Sequence, residues 1–158
     1  MKQTTPKSNF VRTALWIGGI VCALVLVAAL YMSMMMSRMN DIPSDLDYST
    51  TRTSDQDLYR VSYSPSTGTI PVNQMHQWTL HVESTDGKPV EDATISVDGD
   101  MPQHGHGLPT SPRVTEYLGN GDYLVEGLKF QMGGWWLMDF TITANGQTDA
   151  VHFNMVLK

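Results

Sequence analysis

The stretch that decides the fold is Trp135-Trp136-Leu137-Met138-Asp139-Phe140-Thr141-Ile142-Thr143-Ala144-Asn145-Gly146. Trp136, Met138, Phe140 and Ile142 alternate with Leu137, Asp139 and Thr141, a period of two that sends one set of side chains into a core and the other toward water. The run ends in Asn-Gly, a pair that accepts the positive φ angles of a tight hairpin turn. Trp78, Leu80 and Val82 repeat the pattern against Thr79, His81 and Glu83, while Asp86-Gly87 and Asn120-Gly121 supply further turns. Strands are therefore expected at about 58–63, 77–84, 93–98, 113–118, 122–129, 135–144 and 149–157. No long stretch from Asp57 to Lys158 keeps a helical apolar repeat. Seven short strands at this spacing predict an all-β, seven-stranded immunoglobulin-like sandwich over residues 58–158.

The N-terminal part is built differently. Residues 14–36 carry no charge and would cover roughly 35 Å as a helix, enough to cross a hydrocarbon layer. Residues 1–13 are expected as a cytoplasmic N-terminus, 14–36 as a transmembrane helix, and 37–57, rich in Ser, Thr, Asp and Pro, as a flexible stalk. Lys2, Lys7 and Arg12 precede the apolar run without an acid, whereas Arg38 is followed by Asp41, Asp45 and Asp47. That bias puts the N-terminus in the cytoplasm and the C-terminal domain outside a cell inner membrane, in the periplasm. A cleaved signal peptide would have a shorter apolar core ending at a small-x-small site. Val27-Ala28-Ala29 is the one hint of such a site, and the apolar run continues past it.

Cys22, the only cysteine among 158 residues, lies inside the expected span. The exported domain thus has neither a disulfide nor a thiolate, and any metal must use Met, His or carboxylate. Residues 1–40 hold four basic groups and no acid, leaving six basic and 16 acidic groups beyond them. Such a negative domain excludes nucleic acid as a partner. No nucleophile with a base, carboxylate pair or phosphate loop stands in a usable context, so an enzyme is not expected.

Met101-Pro102-Gln103-His104-Gly105-His106-Gly107 crowds a thioether and two imidazoles into one loop. Thioether sulfur prefers Cu(I) to hard cations, and imidazole accepts copper readily. In an antiparallel sandwich alternate loops emerge at one end. Met75 and His76, the loop with Met101, His104 and His106, and the loop with Met132 should then share a pole, one pointing away from the membrane unless the stalk doubles back. His104, His106, Met101 and Met132 are the candidate ligands, with copper as Cu(I). Plainer roles compete: backbone-bonded turn imidazoles, Met101 as a core residue closing the third strand, Met75 and His76 as a strand cap, His81 and His152 as solvated. The Met32 to Met39 cluster is a further candidate for copper capture, against its simpler role as an apolar helix end.

The M-P-x-H-G-H-G loop at 101–107, Pro109, Gly121-Asp122-Tyr123 and the run Gly127 to Trp136 together resemble the YtkA-like domain family, related to FixH-type membrane-anchored proteins. The likeness covers roughly residues 70–157. It implies an exported β-sandwich associated with copper handling and respiratory oxidase maturation, whose partner would be a cuproprotein or an oxidase assembly factor. The expected function is a membrane-anchored Cu(I)-binding or delivery protein held in the membrane through residues 14–36. The alternative is a metal-free assembly module that docks on a membrane complex through Trp135, the prolines and the histidines.

Overall fold

The computed structural model describes residues 8–39 and 42–158, and in the first of these the side chains of 16 and 19–35. The chain divides into two compact units, Met1–Asp41 and Ile42–Lys158. The first contains α1 (Ser8–Met39), a helix that takes in the whole uncharged run. Among the described residues no helix is long and apolar enough to cross a membrane. Residues 1–7 of the expected N-terminus and the side chains of 36–39 in the methionine cluster lie outside the described residues.

The second unit is all β. Its strands are β1 (Thr51–Thr53), β2 (Tyr59–Pro65), β3 (His76–Ser84), β4 (Thr94–Met101), β5 (His106–Gly107), β6 (Arg113–Gly119), β7 (Asp122–Leu128), β8 (Gly134–Ala144) and β9 (Gln147–Leu157). They form two antiparallel sheets ordered β1-β2-β3-β7-β6 and β5-β4-β8-β9. Without the short β1 and β5, these orders match the ABED and CFG sheets of a constant-type immunoglobulin sandwich. The expected alternation holds: Trp78, Leu80, Val82, Trp136, Met138, Phe140 and Ile142 are fully buried between the sheets. Tyr63 stacks on Trp78 at 4.4 Å, and Phe153 meets Tyr63 and Phe140 edge-on at 5.0 and 5.9 Å, closing the core.

Asn145 and Gly146 have φ of 52° and 75°, and Asn120 and Gly121 have 53° and 81°. Two successive positive angles make the two-residue turn whose twist matches that of its strands. The β8–β9 register is accordingly unbroken from Ala144↔Gln147 to Gly134↔Leu157.

Three features differ from the sequence expectation. The count rises from seven strands to nine, because β1 and β5 are three- and two-residue pairings too short to show an alternating pattern. The stretch 37–57, expected as a stalk, ends in folded structure. Ser54 is buried and exchanges hydrogen bonds with the backbone of Tyr59, and Asp55 donates its N–H to the Ala150 carbonyl at 2.9 Å. The buried Asp149 carboxylate accepts the N–H groups of Gln56 and Leu58 at 3.0 and 3.3 Å. Apolar content missed this because backbone pairing and one buried carboxylate, not side-chain burial, hold the segment.

The third difference is the direction of entry. Thr51 pairs with Ser62 and Thr53 with Arg60, so β1 runs against β2 and is reached from the end where β2 finishes. Asn154 near the close of β9 donates to the Asp47 carbonyl at 3.4 Å, and Ile42 and Tyr48 line a groove with Tyr63, Met155 and Val156. Since β2 finishes at the first of the candidate loops, the chain enters the sandwich at the candidate pole. The expectation of a pole remote from the entry is corrected: the segment doubles back.

Candidate metal centre

β4 ends at Met101, whose carbonyl accepts the N–H groups of both His104 and Gly105 at 2.9 Å. Gly105, at φ 65°, turns the chain, and β5 brings His106 opposite Met101 and Gly107 opposite Asp100. The loop is thus a tight hairpin rather than a free excursion. It sets the imidazoles of His104 and His106 face to face, ring centres 5.8 Å apart and planes inclined by 20°. Both residues are exposed.

Paired residues share a face of the sheet, so His106 lies on the side of Met101, the inner one. Its ring meets the buried Trp136 edge-on at 6.4 Å. Trp136 also packs on Phe130 at 5.0 Å and donates its indole N–H to the Met132 carbonyl at 3.1 Å. Gln131 ties the two loops together: its amide nitrogen lies 3.0 Å from His106 Nδ1 and 3.2 Å from the Gly107 carbonyl oxygen. The first loop joins through a parallel bridge between Val72 and Phe130 and the Asn73 N–H to Phe130 carbonyl bond of 2.6 Å. Three loops distant in sequence meet at one pole.

The candidate ligands take different positions within it. His104 and His106 are brought together. Met132 follows Gln131 in the chain and holds the Trp136 indole through its carbonyl, and it is 40% exposed. Met101 is fully buried and behaves as a core side chain. Its methyl group occupies the space above Gly134, where an added β carbon would sit 2.8 Å away. Met75 is exposed, whereas His76 is buried. His76 donates Nδ1–H to the Gln74 carbonyl at 3.1 Å, and its Nε2 has no partner. Burial, partly opposed by that hydrogen bond, lowers the His76 pKa and keeps the ring neutral.

His81 and His152, expected as merely solvated, are held by carboxylates. His81 Nδ1 lies 2.7 Å from Asp122 and its Nε2 3.7 Å from Glu83. His152 bridges Asp139 at 2.5 Å and Asp55 at 3.1 Å. The hydrogen bond that His152 donates to Asp139 chiefly, then the nearby charge of Asp139 and the contact with Asp55, raise the His152 pKa against the opposing effect of burial.

Among the described residues no group of three or more His, Cys, Asp or Glu could hold a metal ion. A centre at this pole would have to rest on the two imidazoles and a thioether. Two imidazoles sharing an ion through nitrogens at ~2.0 Å have ring centres no more than ~6.3 Å apart, and 5.8 Å lies within that limit; because a bound ion lies in the plane of each ring, at least one of these facing rings must turn to share it. Two neutral nitrogens and sulfur suit a soft monovalent ion better than a hard divalent one. Gln131 and the indole floor lie outside the ligand set expected from the sequence; the signals for Gln131 are its adjacency to Met132 and its place in the run Gly127 to Trp136.

A family model described as YtkA-like matches residues 47–141. No curated protein matches the chain. Among solved structures, one titled "ZirS C-terminal Domain" is similar at 15% identity, over 72% of this chain and 80% of its own, with a TM-score of 0.37. A likeness at that level carries no argument about either fold or function.

Proposed function

The chain belongs to the YtkA-like family, and from that premise we propose that it is a membrane-anchored, extracytoplasmic Cu(I)-binding protein that hands copper to a respiratory or other envelope cuproprotein. The single observation that carries this reading is the facing of His104 and His106 at 5.8 Å on a hairpin tip. Met132, partly exposed, is the thioether candidate that completes the set, while Met101 is held in the core. When bound, Cu(I) would supply no bond-making chemistry of its own here; it is cargo. Exposure of both rings suits exchange, because a partner's ligands can approach as these leave.

The anchor is supported by the uncharged run 14–36 within α1 and by the basic residues that precede it, which favour an inner-membrane protein with the N-terminus in the cytoplasm and a periplasmic domain. A C-terminal alkaline phosphatase fusion is expected to be active and to sediment with membranes; an inactive or soluble fusion overturns the anchor.

Copper is tested on the purified full chain by competition with a chromogenic Cu(I) chelator. One equivalent is expected to bind, and replacing His104 and His106 together by Ala should weaken it beyond the roughly 10–100-fold that loss of an outer-shell partner costs. Affinity unchanged in that variant, or no stoichiometric Cu(I) in the parent, leaves the metal-free docking module as the better account.

A further inference from the structure

The amide of Gln131 makes a constrained pair of contacts. The Gly107 carbonyl can only accept a hydrogen bond, so the Gln131 atom 3.2 Å from it must be the donor, Nε2. That same Nε2 lies 3.0 Å from His106 Nδ1 and has nothing to offer but its second N–H. His106 Nδ1 must therefore accept, and a neutral His106 carries its proton on Nε2. The other end of the amide, Oε1, is buried without a partner. A metal-ligating imidazole needs one free lone pair, and the lone pair of His106 is the one that Gln131 occupies. Access through Nε2 would move the proton to Nδ1 and set N–H against N–H. Turning the amide over to relieve that would set Oε1 against the Gly107 carbonyl.

We infer that Gln131 is a positioning residue that caps the Nδ1 lone pair of His106 in the copper-free protein and is displaced when Cu(I) binds there. One hydrogen bond breaks, one coordination bond forms, and no proton leaves the ring, since Nε2 keeps its own. The amide returns to Nδ1 on release, which lowers the affinity and favours hand-off to a partner. This rests on the copper reading for its metal half and on hydrogen bonding alone for its tautomer half.

The test uses the detergent-solubilised full chain with 15N-labelled histidine. Long-range proton–nitrogen spectra of the copper-free protein should show His106 as the Nε2–H tautomer. Gln131→Leu should relax it to a mixture and tighten Cu(I) in chelator competition by about three- to tenfold, the effect of losing one competing neutral hydrogen bond. Gln131→Glu, which can only accept at that position, should drive His106 to the Nδ1–H tautomer and serves if the Leu variant does not fold. A parent His106 protonated on Nδ1, or a Gln131→Leu protein with the parent's tautomer or weaker Cu(I) binding, overturns the inference. A parent that binds no Cu(I) at all overturns the proposed function together with the metal half, while the tautomer spectra still decide the rest.

Discussion

The imidazoles on the sheet faces and those at the loop tip are the same side chain in opposite circumstances. His81 and His152 each lie between two carboxylates, one of them on a neighbouring strand, with both ring nitrogens engaged. His104 and His106 face one another across a hairpin, and the side-chain brace on His106 is a single neutral amide. Antiparallel strands place partners side by side at fixed spacing, so a histidine opposite an acid is locked as a charged or hydrogen-bonded structural element. A hairpin tip lacks such neighbours. Its rings keep nitrogens that can be exchanged, which is the property a copper carrier requires.

The sharpest way to break this contrast is to remove the floor beneath the loop pair. Trp136→Ala should cost about 3–5 kcal/mol in urea denaturation, as for other large buried aromatic residues, while His104→Ala should stay within about 0.5 kcal/mol. Equal losses would mean that the loop histidine is part of the fold rather than a ligand held on it. The converse experiment replaces His81 and His152 together by Gln. Their variant is expected to keep the parental Cu(I) affinity in the same chelator competition that the loop pair fails, and a comparable loss would place the copper on the sheet face.

A smaller effect belongs to Asp149, which fastens the segment before β2. Burial alone would raise its pKa, but hydrogen bonds from Ser54, Ala150, Gln56 and Leu58 prevail and hold it below the ordinary carboxylate range. Asp149→Asn should lower stability by about 1.5–3 kcal/mol, the range for hydrogen bonds to a charged group, and expose the Gln56 and Leu58 amides to hydrogen exchange. A depressed folded-state pKa means that this stability is present above the unfolded value near ~3.9 and is lost as pH falls through the folded value. Unchanged exchange at those amides would show that β1 pairing alone holds the segment.

The smallest effect is the pH response of His152. Its folded pKa is raised, so its contribution is fully present below the unfolded value of about 6.5 and disappears as pH rises through the folded value. The urea midpoint of the parent should therefore fall between about pH 6 and about pH 9 by more than that of His152→Gln. Identical slopes would mean that the Asp139 and Asp55 contacts are without thermodynamic weight, as many exposed ion pairs are.

Much of the sandwich was legible because its signals are local. Alternation from Trp136 to Ile142 named the buried face, and Asn145-Gly146 named the turn. Even the Asp139–His152 pair could have been computed from that hairpin, since a two-residue turn starting from Ala144↔Gln147 places the two side by side. The His81–Asp122 pair could not, because β3 and β7 are joined by no hairpin and their register shifts at a bulge near His76. At the loop, the two histidines were evident from composition. The burial of Met101 stood as only one of two readings, because it depends on the space above Gly134, a residue of another strand.

By itself the sequence determined the β class, the inward faces and the hairpins, together with the presence of soft ligands in one loop. All of these follow from side-chain chemistry and period over a few neighbouring residues. Only the tertiary structure decided which imidazoles are locked and which stand open, where Gln131 reaches, and that the chain enters at the same pole. Those depend on which atoms of distant strands and loops come within hydrogen-bonding distance, a matter of register and packing between segments that no local pattern encodes.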